Sequence, residues 1–250
     1  MSPWTDDRPV RTPELSAKQE ILARLRTALD SPRRDAVTEA ADVPRRYQRA
    51  DGKQETTTDP AKIRDVLVSR LEDYTATVHR TTADQLATTI ATAAAGCEQV
   101  LVPAAVPPSW TEQIAGQVRQ DEPGITPRQL DRVDAVVTGC HTAIAMTGTL
   151  VLRSDDRSGR RALTLVPDHH IVVVEADQVV LGVPKAIERM QEQPDAAWTW
   201  VSGPSATSDI ELERVEGVHG PRRLQIILVD PDPATPDPSP PEQTRSEGAA

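Results

Sequence analysis

Phenylalanine is missing from this 250-residue chain, and aromatic residues make up 2% of it. A core without phenylalanine must be built from Ala, Val, Leu and Ile, a composition that suits buried parallel strands flanked by helices. Cysteine is nearly missing as well. Cys97 and Cys140 stand far apart, which excludes a cysteine-held iron–sulfur cluster, a structural zinc motif and a secreted disulfide framework. Basic charge is in deficit, 28 Lys and Arg against 38 Asp and Glu for a net charge of −10. That balance argues against nucleic acid or an anionic membrane as the main partner. No stretch approaches the roughly 18 apolar residues of a membrane span, and the N-terminus lacks the apolar core of a signal peptide. The expected location is a reducing cytoplasm. Walker, GxGxxG, HExxH and GxSxG motifs are also absent, which removes the commonest nucleotide, zinc-protease and serine-hydrolase readings.

The length allows one large domain. Residues 1–13 are polar with three prolines and read as disordered, and residues 14–55 as an N-terminal helix and connector. Within the latter, Ile21, Leu22, Leu25 and Leu29 share a helical face, and Arg33, Arg34, Arg45, Arg46 and Arg49 fill a charged connector that is either solvated or an anion or partner contact. An α/β domain is expected over 56–229. Asp59 as N-cap and Pro60 at the first position predict a helix to Asp73. A strand near Ala76–His79, a helix over Thr82–Ala95 ended by Gly96 and a strand at Gln99–Val102 follow, a unit that implies parallel strands. Helices are predicted over Pro108–Val118, Pro184–Gln193 and Thr207–Val215. Further strands are predicted at Asp134–Thr138, Thr149–Leu152, Ile171–Val174, Gln178–Leu181, Trp198–Ser202 and Leu224–Val229. Residues 230–250, with three Asp, two Glu and one Arg, form a proline-rich acidic tail that cannot repay its ordering entropy.

The candidate chemistry lies in loops. Thr147-Gly148-Thr149 leads into an apolar strand, and Gly203-Pro204-Ser205-Ala206-Thr207-Ser208-Asp209 follows one and precedes the predicted helix. Gly148 and Gly203 would let a ligand approach the backbone, while Ser205 and Thr207 offer hydroxyls beside free helix amides, the composition of an anion cradle. The alternative is a plain helix cap with Asp209 in the first turn. His219, between Gly217 and Gly220, is either a general acid/base or a histidine in a turn. His169 and His170 are adjacent on a strand and point to opposite faces, so they do not form a metal pair; a structural or substrate-facing role suits His170 better. Arg153–Arg161 reads as a charged hairpin, solvated or with Arg160 folded back on an anionic ligand. Cys140 and His141, as neighbours, are poorly disposed as nucleophile and base. No metal site is expected.

Several of these segments carry a resemblance. Val137-Thr138-Gly139, Ala143 to Leu152, Leu165 to Val174, Gly203-Pro204-Ser205 with Asp209-Ile210-Glu211, and Gly217 to Pro221 together resemble the lactate utilization protein C family, whose module is the LUD domain. The match covers Val133–Val229, with a looser one before it. The resemblance implies a parallel or mixed sheet with flanking helices, like the ribose-5-phosphate isomerase and CoA-transferase superfamily. It also implies a cofactor-free accessory subunit of a bacterial L-lactate oxidation system, acting beside iron–sulfur partner proteins and binding a small carboxylate or phosphorylated metabolite. The alternatives are a standalone isomerase-like or CoA-transferase-like enzyme and a non-catalytic ligand-binding regulator. Where relatives often carry Glu before Thr-Gly-Thr or Thr-Gly-Ser this chain has Met146, which transfers no proton, so any chemistry that carboxylate does in relatives would be lost or altered here, while binding could survive.

Overall fold

The chain divides into two units, residues 1–47 and 48–250, and the computed structural model describes residues 16–29, 57–154, 157–207, 215–216 and 220–232. In the first unit, helix α1 (Ala17–Leu29) opens on a reciprocal cap in which Ser16 Oγ accepts from the Gln19 amide and Gln19 Oε1 accepts from the Ser16 amide. Its Ile21, Leu22 and Leu25 are exposed.

The second unit begins with α2 (Pro60–Asp73), where Asp59 Oδ1 accepts from the Ala61 amide at 3.0 Å. The elements that follow are β1 (Thr77–Thr81), α3 (Leu86–Ala93), β2 (Gln99–Val102), a single 3-10 turn at Pro108–Trp110, β3 (Gln117–Gln120), α4 (Pro127–Leu130), β4 (Ala135–Gly139), β5 (Thr142–Ile144) and β6 (Thr149–Arg153). After these come β7 (His169–Glu175), β8 (Val179–Val180), α5 (Val183–Met190), β9 (Trp198–Val201), β10 (Ala206–Thr207), β11 (Val215–Glu216) and β12 (Arg223–Val229).

Six strands form one sheet in the order β1-β12-β7-β4-β2-β3, every neighbouring pair parallel. All its amino ends therefore lie along one edge and all its carboxyl ends along the other. Side chains alternate between faces along each strand, and both faces are apolar, as a parallel sheet covered on both sides requires. Ile171, Val173 and Ile227 pack with Leu86, Ile90 and Ala93 of α3 and with Trp110. Val172, Val174, Leu224, Ile226 and Leu228 face the other way, onto Leu67 and Leu71 of α2 and onto Ala143, Leu150 and Leu152. Those last three belong to a second, four-stranded sheet in the order β8-β5-β6-β9, antiparallel except for β5 with β8. The fold is α/β, with a parallel sheet flanked by helices.

Three expectations are corrected. The helix over Pro108–Val118 is a 3-10 turn followed by a strand. Trp110, Ile114 and Val118 have helical spacing and do face the core, but Gly116 runs so close to the Cys97 carbonyl that a methyl group there would stand 2.2 Å from its oxygen. The helix over Thr207–Val215 is not formed at either end, because Ala206 and Thr207 pair antiparallel with Glu216 and Val215. Residues 153–161 do not make a hairpin, since β6 and β7 belong to different sheets. Residues 1–13 and the tail beyond Asp232 lie outside the described residues.

Candidate functional site

The loops singled out from sequence gather near the amino edge of the parallel sheet. Thr149 Oγ1 is 2.8 Å from Thr147 Oγ1 and 2.7 Å from Ser202 Oγ, so the start of β6 and the end of β9 are joined by a hydroxyl chain. Gly148 and Gly203 both have positive φ, 58° and 88°, a conformation glycine adopts at no steric cost. Each also faces α2 or the residue that ends it: a methyl at Gly148 would lie 3.0 Å from the Arg70 backbone, and one at Gly203 would lie 2.8 Å from Tyr74 Cβ. Their smallness thus admits the end of a helix. The Ser205 amide donates to the Pro221 carbonyl at 2.8 Å, and a methyl at Gly220 would lie 3.8 Å from Ser205 Cβ, so the turns around 204 and 220 meet at their backbones. Ala206 and Thr207 are paired as a strand with Glu216 and Val215, and the amides after Thr207 that were expected to cradle an anion lie outside the described residues. Asp209 and His219 lie outside the described residues, as does the side chain of Thr207.

The remaining sequence candidates are occupied by the protein itself. His169 and His170 lie on opposite faces of β7, each 1% exposed. His170 Nε2 is 2.8 Å from Thr138 Oγ1, and burial pushes the imidazole down to about 3. Enclosed this way, His170 presents no atom to a ligand. Burial likewise lowers His169 to about 4. The Gln225 amide nitrogen lies 3.1 Å from His169 Nε2 and the Gln225 carbonyl oxygen 2.9 Å from His79 Nε2, which leaves His169 Nδ1 protonated and facing Cys97 Sγ at 3.9 Å. Arg160 grips Asp121 through Nε (2.7 Å) and Nη2 (2.8 Å), and its Nη2 also donates to the Ile125 carbonyl. It therefore ties its loop to the end of β3. Cys140 is buried, its thiol pushed up to about 12 by desolvation while donating to the Thr142 carbonyl; such a thiol is no nucleophile at neutral pH. His141 instead meets the edge of Trp198, ring centroids 4.8 Å apart.

The carboxyl edge is built differently. The chain leaves β2 for β3 on one side and returns to β4 on the other, so strand order reverses between β2 and β4. In open α/β sheets, ligands bind outside the carboxyl ends of strands at such a point. Here residues 157–159 bridge the two strand ends. The Gly139 amide donates to the Arg157 carbonyl at 2.9 Å, Ser158 Oγ donates to the Gly139 carbonyl at 3.1 Å, and a methyl at Gly159 would lie 3.0 Å from Pro103 Cγ. Gly139 gives the arginine its place, because a methyl there would stand 2.8 Å from Arg157 Cβ. The Arg157 guanidinium lies 5.5 Å from the centre of the Trp110 ring, and its Nη1 reaches both oxygens of Glu175 at 3.1 Å. Arg157 and Glu175 remain 38% and 40% exposed.

Arg160, the candidate in this segment by sequence, is closed on Asp121, and Arg157 is the arginine that stands at this edge. The signal that was available is Gly139, a glycine closing an apolar strand, which marks close approach of another group. A profile of the LUD domain matches residues 65–229. The chain belongs to the LUD domain family. It is similar to lactate utilization protein C of Deinococcus radiodurans, 41% identical over 215 residues that cover 85% of this chain and 95% of that protein. It is also similar to lactate utilization protein C of Bacillus pumilus, 39% identical over 93 residues covering 35% of this chain and 38% of the relative. A crystal structure of a DUF162 family protein from Deinococcus radiodurans superposes with a TM-score of 0.60 at 39% identity, covering 69% of this chain and 99% of that one. The LUD match reaches well upstream of Val133, where the motifs seen in the sequence began. It takes in both sheet edges and leaves α1 outside.

Proposed function

We propose that this LUD domain protein serves in lactate utilization, as an accessory subunit that binds a small carboxylate metabolite and works beside iron–sulfur proteins that carry the electrons. The observation that carries this reading is the 41% identity spanning 95% of lactate utilization protein C of Deinococcus radiodurans. Two features of the chain support the division of labour. Oxidation of a 2-hydroxy acid to a 2-oxo acid removes two electrons, and the side chains here supply no two-electron acceptor of their own: Cys97 and Cys140 are unpaired, both buried, with their thiol pKa values raised by desolvation. Met146, directly before Thr147-Gly148-Thr149, cannot move a proton. The chain's contribution is then to hold the carboxylate and to present it to a partner.

The reading is tested by rebuilding L-lactate oxidation from the candidate iron–sulfur proteins of the same organism, with and without this chain, and following electron delivery to a dye. The expected result is oxidation that depends on adding the chain. Equal rates with and without it, at saturating partner proteins, would contradict the reading.

A further inference from the structure

Six described arginines of the second unit meet carboxylates. In three of them the side-on fork, Nε with Nη2, closes on one aspartate: Arg80 on Asp230 at 2.7 and 2.8 Å, Arg160 on Asp121 at 2.7 and 2.8 Å, and Arg222 on Asp168 at 2.7 and 2.9 Å. Of the other three, Arg64 reaches Asp230 through Nε, Arg70 reaches Asp73 through Nη1 where both side chains are more than half exposed, and the last is Arg157. It spends Nη1 on Glu175, and its Nε and Nη2 donate to no group among the described residues. Planar bidentate pairing with a carboxylate is what this fork does best.

We infer that the open fork of Arg157, at the carboxyl edge by the ends of β4 and β7, is the binding site for the carboxylate group of a small monocarboxylic acid. This rests on the proposed function and adds to it a place and a charge. The guanidinium is fixed before any ligand arrives, stacked over Trp110, held from behind by Glu175, and carried on a loop bonded to Gly139 at both its carbonyl and its amide. Little side-chain freedom is left to lose on binding. Glu175 also fixes the class of ligand. Its carboxylate already neutralises most of the guanidinium charge, so the fork can hold a monoanion such as lactate or pyruvate but does not balance a phosphate dianion. A phosphorylated metabolite therefore fits this place poorly.

The test uses the full chain and calorimetric titration with L-lactate, pyruvate and inorganic phosphate, with thermal unfolding as the check on folding. The wild-type chain is expected to bind the two carboxylates and not phosphate. Arg157→Ala should lose at least about tenfold in affinity, the worth of a charge-assisted hydrogen bond. Arg157→Lys, which keeps the charge and loses the fork, should lose nearly as much, and it keeps the inference testable if the alanine variant fails to fold. Glu175→Gln still accepts from Nη1 while removing a competing negative charge, so it should tighten carboxylate binding several-fold, an effect a purely structural ion pair would not produce. If the wild type binds lactate or pyruvate and both Arg157 variants bind equally well, the site is overturned while the proposed function stands. If the wild type binds neither carboxylate, both the site and the carboxylate part of the proposed function fall. Phosphate binding as tight as lactate would overturn the assignment of ligand class.

Discussion

The two edges of the parallel sheet use the same residue types for opposite ends. At the amino edge, Gly148 and Gly203 bring loops against α2 and Tyr74, His169 is buried in hydrogen bonds, and Arg222 is closed by Asp168, whose carboxyl that hydrogen bond holds below its ordinary range. At the carboxyl edge, Gly139 lets an arginine stand over a tryptophan with its Nε and Nη2 donating to no group among the described residues. Glycine beside polar residues reports close approach. Whether the approaching group is the protein or a ligand depends on which donors are left over after the fold is complete, and that separates the edges.

The contrast can be sharpened in several ways, beginning with pH. His169 and His170 both lie at the start of β7 and are held neutral by burial, at about 4 and about 3 against an ordinary 6.5. The unfolded chain therefore binds more protons than the folded one below pH 6.5. Stability is full above that value and falls as the pH drops toward 4, by about 1.4 kcal/mol per pH unit for each histidine at most. Urea unfolding from pH 7 to 4 should show this slope, and His169→Gln should reduce it. The proposed carboxylate site at Arg157 contacts neither histidine, so a loss of binding by folded protein on acidification that disappears in His169→Gln would count against the separation of the edges.

Gly203→Val should cost about 3 kcal/mol, because a β-branched residue is strained at positive φ and its Cβ would press on Tyr74. Measured by urea midpoint, a loss below 1 kcal/mol would mean that the glycine is there for something other than packing. Arg160→Ala should cost about 2 kcal/mol by leaving Asp121, its side chain 9% exposed, without its partner. Binding of lactate by the folded variant should be unchanged, in contrast to the Arg157 variants. Thr149→Val, which breaks the hydroxyl chain from Thr147 to Ser202, should cost about 1 kcal/mol in the same assay.

Local signals in the sequence were sufficient for much of the fold. Asp59 and Pro60 announce α2 at its true first residue, and the apolar runs of β2, β7 and β12 are central strands of the sheet. What stayed hidden depends on partners distant in sequence. The approach of Gly116 to Cys97 turned a helical spacing into a strand, and Ala206–Thr207 and Val215–Glu216, at the two ends of a predicted helix, pair with each other as strands. The site shows the same limit. Arg157 and Arg160 lie three residues apart in one charged segment, and nothing local says that Asp121 closes one fork while the other has no partner among the described residues.

The most direct test compares the edges in one experiment, titrating L-lactate into folded Arg157→Lys and folded Ser205→Ala. Binding lost in the first and kept in the second is the predicted result. Binding kept in Arg157→Lys and lost in Ser205→Ala would move the ligand to the amino edge and contradict the account.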